Sequence, residues 1–200
     1  MAKKKQILYP VVFMVIVTAV FTLLLAFIND ATKDTIAKQQ ELVIQRSILT
    51  VFNFDISQSS DDQVQELFNN NVKTETVDDR NVYTYQDLGY AFEFSGKGLW
   101  GTITGHIAFD QSHENMLGIN FISHSETPGL GGRIDEIDFK NQFTNLQMLD
   151  PIVTLNKSTG GNVDAISGAT LTSLAVRDIV NSQVPEILEF AKKEGFYEGN

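Results

Sequence analysis

The sequence contains no cysteine. Disulfides, zinc–thiolate sites, thiolate-held iron–sulfur clusters and thiol catalysis are excluded together. Histidine is scarce. His106, His113 and His124 are the only three, and none pairs with another at a His-x-His or His-x-x-x-His spacing. A metal site therefore has little to build on, and none is expected. Positive charge is also short: 15 Lys and Arg face 25 Asp and Glu, a formal net charge of −10. Nucleic-acid phosphates need Lys and Arg to neutralise them, so DNA and RNA are not expected partners. A Gly-x-Gly-x-x-Gly fingerprint set between strand and helix is missing too, and Gly129-Leu130-Gly131-Gly132 is only a look-alike. Redox chemistry in this chain requires an organic cofactor or a haem without cysteine ligands.

Charge is absent altogether from Ile7 to Ile28. At ~1.5 Å per residue that run reaches about 33 Å, enough for a hydrocarbon core of ~30 Å. Pro10 stands near its start, where a helix tolerates it. The run is longer than a signal-peptide core, and Ala26-Phe27-Ile28 is a poor cleavage site, so a retained single-pass anchor is expected. Lys3-Lys4-Lys5 precede the run and Asn29-Asp30 follow it. The positive-inside tendency then places the N-terminus in the cytoplasm and the main domain outside.

Beyond the anchor, residues 30–80 read as a helical stalk and connector. Ile36, Leu42, Val43, Ile44, Ile48, Leu49 and Phe52 approximate a helical stripe, facing either a neighbouring subunit or the chain's own domain. Residues 62–70 suggest a short helix. From Val82 the period becomes two. Strands are expected at Val82–Tyr85, Tyr90–Phe94, Leu99–Phe109 and around Leu117–Phe121. The fold class is α+β: an antiparallel sheet with one buried face, flanked by helices. His106 falls on the polar side of its strand and His113 in a turn, so both are expected in solvent. A short helix is expected over Phe139–Leu146, a strand over Ile152–Leu155 and a turn over residues 157–161. A helix should start near Thr170, end at Pro185 and reopen toward a cap at Gly195.

Chemistry concentrates in Ser167-Gly168-Ala169-Thr170-Leu171-Thr172, a hydroxyl-rich glycine turn running into a helix. A helix start leaves about four N–H groups unpaired and favours a phosphate. Ser, Gly and Thr also serve there purely as caps. A second irregular stretch, Glu126-Thr127-Pro128-Gly129-Leu130-Gly131, lets backbone approach a ligand closely.

Asp164-Ala165-Ile166-Ser167-Gly168-Ala169-Thr170 resembles the flavinylation sequence Asp-x-x-(Ser/Thr)-Gly-Ala-Thr of the FMN-binding domain family, with every fixed position present. Gly98-Leu99-Trp100-Gly101 and Glu126–Gly131 agree in order with that family's other landmarks. The resemblance covers the anchor and roughly residues 82–190. It is to the periplasmic flavoprotein subunits of Nqr and Rnf ion-translocating electron-transfer complexes. It implies FMN joined to Thr170 through a phosphoester, attached by a flavin transferase that uses FAD and Mg²⁺. It implies a place in the bacterial inner membrane beside integral membrane and flavin-bearing subunits, with the lipid bilayer around the anchor. A flavin exchanges electrons singly, so the chain reads as a relay with no substrate site of its own. The expected assembly is an Nqr-type sodium-translocating NADH:quinone (ubiquinone) oxidoreductase. The alternatives are the G subunit of an Rnf-type ferredoxin:NAD complex, a non-redox assembly module, or an isolated FMN-binding regulator or reductase subunit.

Under that resemblance each site residue takes an expected role. Gly168 and Ala169 keep the approach to Thr170 small. The N–H groups of Leu171 and Thr172, with the Thr172 hydroxyl, hold phosphate oxygens. Glu126, Thr127, Gly129 and Leu130 form the surface for the flavin ring. Trp100 either stacks on the ring or anchors the sheet. Asp164 positions the loop or the transferase metal, or else caps a turn. Lys157 is a countercharge or a solvated turn residue. His124 tunes the ring or is a structural loop residue.

Overall fold

The computed structural model describes residues 2–86 and 88–196, without the side chains of residues 2–7. Helix α1 (Ala2–Val51) runs unbroken through Pro10. Its N-terminal part is the one helix among the described residues long and apolar enough to cross a membrane, and none of that apolar window is buried in protein. The chain divides into two compact units, residues 1–41 and 42–200. The second holds the sheet and everything packed on it.

Helix α2 (Asp61–Asn71) opens with a capping box. The Ser60 hydroxyl accepts from Gln63 N and the Gln63 amide oxygen accepts from Ser60 N. Strands β1 (Val72–Val77), β2 (Arg80–Tyr85), β3 (Gly89–Lys97), β4 (Thr102–Asp110), β5 (Asn115–Ser123) and β6 (Leu146–Gln147) pair in chain order as one antiparallel sheet. Strand β1 falls in the stretch read as connector. Only Val72 of its six residues is buried, so it carries little apolar signal. The β2–β3 turn includes Asp87, which lies outside the described residues.

Both faces of the sheet are covered, not one. On the first face Phe92, Phe94, Ile103, Ile107 and Phe109 pack under helix α4 (Thr170–Lys193), through Val176, Ile179, Val180, Val184 and Ile187. A Cβ on Gly96 would stand 2.4 Å from Ile179 Cγ1, so a bare glycine marks where α4 crosses β3. On the second face Tyr83, Ala91, Ala108 and Leu117 meet Ile48, Leu49, Val51 and Phe52 of α1 and Val64 and Phe68 of α2. The C-terminal part of the expected stripe therefore packs on its own domain, while Ile36 and Val43 stay exposed.

Two histidines expected in solvent are buried, His106 by this second layer and His113 against Tyr90 and Phe109 of the first face. His106 is 2% exposed beneath α1, with Nδ1 2.9 Å from Ser47 Oγ and Tyr83 edge-on to its ring. Burial pulls its pKa from 6.5 down to about 4. His113 is also buried and stacks on Tyr90, and desolvation lowers its pKa too. The polar alternation of β4 is real, but that face meets a helix and not water.

Three element boundaries also differ from expectation. Leu99 and Trp100 lie in the β3–β4 turn, because Gly98 N bonds Gly101 O at 2.7 Å and closes it. Ile152–Leu155 is not a strand; only Leu155 bridges Val163, in parallel. The Asn181 amide takes its place there, accepting from Val153 N at 2.8 Å and donating to Val153 O at 2.9 Å. Pro185 does not end the last helix. α4 continues to Lys193 because Val184, Ile187 and Ala191 extend one buried face, which outweighs a single missing N–H. Gly195, at φ 77°, closes it: Phe196 N reaches Ala191 O and Gly195 N reaches Lys192 O, a Schellman motif. The short helix expected over Phe139–Leu146 is α3 (Ile137–Lys140), followed by a 3₁₀ turn at Asn141–Phe143.

Candidate functional site

Three segments far apart in sequence meet in a cleft of about 440 Å³. Leu99 and Trp100 come from the β3–β4 turn, Thr127, Leu130 and Gly131 from the loop after β5, and Gly168–Thr172 from the start of α4. Ligand clefts commonly measure ~300–1,000 Å³ and are mostly apolar. Trp100 is 69% exposed at the rim, and Leu99, Leu130 and Leu171 are exposed beside it. Four large apolar side chains standing in water around one hollow offer flat surface to a ligand rather than to the core.

The polar end is the α4 N-terminus. Gly168 takes φ 80°, which only glycine adopts readily, and turns the chain into the helix. Ala169 is the N-cap and supplies no capping side chain, so the N–H groups of Thr170, Leu171 and Thr172 receive none. Thr170 is exposed at the first helical position, in the cleft. Ser173 braces the turn from beneath. Its hydroxyl accepts from Ile166 N at 2.9 Å and donates to Ala169 O at 3.1 Å.

Glu126 does not sit on the cleft surface. It is 5% exposed and lies beneath, where its carboxylate accepts from Leu99 N, Trp100 N and the Thr172 hydroxyl. The Thr172 hydroxyl is thus committed to protein, while its N–H remains at the helix start. Thr127 O accepts from Leu130 N and Gly132 N, which shapes the loop that lifts Leu130 to the rim.

The remaining expected residues stand apart from the cleft lining. Asp164 Oδ1 accepts from Lys157 N at 2.9 Å, and Gln142 grips the Asp164 backbone from both sides. Asp164 is a turn cap, and the Lys157 side chain is exposed. Ser167 and Gly129 are exposed near the rim without lining it. His124 Nδ1 accepts from Glu126 N, so Nε2 carries the proton toward Asp135 at 2.9 Å; the ring orders the loop. Leu99, Gly131 and Ser173 join the site without a role expected from the sequence. Leu99 and Gly131 lie within the landmark motifs already quoted, and Ser173 carries a local signal in its i+4 spacing from Ala169.

The FMN-binding domain family profile matches residues 98–184, a span that holds all three segments of the cleft. The G subunit of the ion-translocating oxidoreductase complex of Methanosarcina acetivorans is 32% identical over 197 residues, covering 92% of this chain and 96% of that protein. The chain belongs to the FMN-binding domain family. The C subunit of the Na(+)-translocating NADH-quinone reductase of Yersinia pestis is 35% identical over 95 residues, covering 43% of this chain and 36% of that one. The crystal structure of the corresponding C subunit from Parabacteroides distasonis shares the fold, with TM-score 0.70 at 21% identity over 84% of this chain and 98% of that chain. As an FMN-binding domain, the chain serves electron transfer, and its relatives are subunits of ion-translocating oxidoreductase complexes.

The residues present fit FMN. Trp100, Leu130 and Leu171 offer apolar faces to a planar ring. The uncapped N–H groups of α4 offer donors to a phosphate, and Gly168 bears no Cβ on the approach.

Proposed function

We propose that this chain carries FMN phosphoester-linked to Thr170 Oγ1 and relays electrons as the anchored flavoprotein subunit of an Rnf- or Nqr-type ion-translocating complex. The observation that carries the reading is the place of Thr170: an exposed hydroxyl on the first residue of an uncapped helix, inside a cleft walled by Trp100 and Leu130. Bound there, FMN supplies one-electron exchange. The chain's part is to fix the phosphate end at the α4 N-terminus, to seat the ring against Trp100, Leu130 and Leu171, and to leave one side open to a partner. A single-pass anchor with the N-terminus in the cytoplasm and the cleft outside follows from Lys3-Lys4-Lys5. Attachment calls for a flavin transferase, because a threonine hydroxyl is too weakly acidic to esterify unaided. The Methanosarcina G subunit, 32% identical over 96% of its own length, supports the Rnf type, and the C-subunit fold, matched over 98% of the Parabacteroides chain, keeps the Nqr type beside it.

The test is co-production with a flavin transferase, denaturation, and peptide mass mapping. The wild-type peptide containing Thr170 carries FMN, and Thr170→Ala carries none while keeping its circular dichroism and Tm. Flavin retained by denatured Thr170→Ala would place the attachment elsewhere. A wild-type chain that never takes flavin would leave the assembly-module reading.

A further inference from the structure

Glu126 is an acidic residue whose two oxygens are buried between the cleft's separate pieces. Oε1 accepts from Leu99 N at 2.9 Å and from Trp100 N at 3.2 Å. Oε2 accepts from the Thr172 hydroxyl at 2.5 Å, 46 residues further on. The carboxylate thus joins the turn that carries Trp100 to the helix start that carries Thr170.

Two glycines of the site make room for it. A Cβ on Gly98 would stand 2.6 Å from Oε1, and a Cβ on Gly131 would stand 2.8 Å from Oε2 and 2.5 Å from Thr172 Oγ1. Neither glycine has a positive φ, so space and not backbone freedom requires them. The adjoining Gly101 is tight for a related reason, since a Cβ there would meet Ser125 Oγ at 2.9 Å. The β3–β4 turn and the loop after β5 are therefore both cut to fit around one side chain.

We infer that Glu126 is a positioning residue: it locks the Trp100 turn to the first turn of α4 and so sets the gap between the aromatic wall and Thr170, without itself touching the flavin. The inference rests on the reading of Thr170 as the flavin carrier. What matters is reach and acceptor geometry. A carboxylate spans both partners through two methylenes, and an exposed turn residue such as Trp100 has no other buried anchor for its N–H. Glutamine keeps that reach. Its oxygen takes the two backbone N–H groups, and its amide donates to a Thr172 hydroxyl turned to accept. Aspartate keeps the charge and falls short of one side.

Trp100 is the only tryptophan in the chain, so its fluorescence reports on the turn directly. The experiment compares wild type, Glu126→Gln and Glu126→Asp, each first produced without flavin. Time-resolved anisotropy should show Trp100 moving with the domain in wild type and Glu126→Gln, and a fast local component in Glu126→Asp. With transferase and FAD, covalent loading should fall about tenfold in Glu126→Asp and stay within about threefold of wild type in Glu126→Gln. Glu126→Asp as rigid and as well loaded as wild type overturns the inference; Glu126→Gln as mobile as Glu126→Asp upholds the lock and shows that it needs the charge as well as the reach. If wild type takes no flavin at Thr170, the proposed function fails while the anisotropy comparison still decides the role of Glu126.

Discussion

His106 Nδ1 lies 2.9 Å from the hydroxyl of Ser47, and Asn120 Nδ2 donates to the same hydroxyl at 3.0 Å. Lys140 donates onward to Asn120 Oδ1, so a polar chain threads the layer between the sheet and α1. The His106 ring is neutral there, its pKa lowered from 6.5 to about 4 by burial.

That relationship sets a pH dependence. A base whose folded pKa is depressed binds fewer protons folded than unfolded between the two values, so stability falls as pH drops through that window. The contribution is whole above about pH 7 and is lost between about 6.5 and 4, on the order of 3 kcal/mol for His106 alone. His113 acts in the same direction. Tm measured from pH 8 to pH 4 should decline below 6.5, and His106→Gln should flatten the slope while lowering Tm at pH 8. A parallel slope in the variant would assign the acid loss to other groups.

Trp100 contributes to the cleft and little to the core. At 69% exposure its truncation removes almost no buried area. Trp100→Ala should leave Tm within about 2 °C of wild type. In flavin-loaded protein it should raise flavin fluorescence, because an indole on the ring quenches it. An unchanged flavin emission would remove Trp100 from the ring-binding wall.

Two glycines separate backbone strain from crowding. At Gly168 a Cβ would meet only Leu130 Cδ2, at 3.4 Å, yet φ is 80°. Gly168→Ala should cost about 1–2 kcal/mol and slow flavin attachment with the fold retained. At Gly105 a Cβ would stand 2.1 Å from Asn120 O and 2.8 Å from the Phe94 ring. Gly105→Ala has to part β4 from β5, and should lower stability well beyond the first variant in urea unfolding. Equal losses at the two sites would contradict this division.

The sheet was largely legible because strands β2 to β5 alternate apolar residues facing α4. The layer beneath was not: His106, Ala108 and Leu117 look like a mixed or solvated face until α1 and α2 arrive from elsewhere in the chain. β1 carries no such signal, because Lys73, Thr74 and Glu75 suit an edge strand and a loop alike. At the site each segment was recognisable by itself, and the resemblance named the threonine. Glu126 shows where sequence reading stops. A glutamate in a Pro–Gly loop reads as ligand-facing, and nothing local announces that Leu99, Trp100 and Thr172 turn their donors inward to it.

The strands pair in the order in which they occur, and α4 follows all of them. A ribosome therefore delivers the complete sheet before the residue that receives the cofactor. A product cut short ahead of Thr170 keeps every strand but leaves Phe92, Ile103, Ile107 and Phe109 bare to water. Such a fragment is fit for aggregation and proteolysis, and cannot persist as a flavin-free decoy competing for the same place in an assembly.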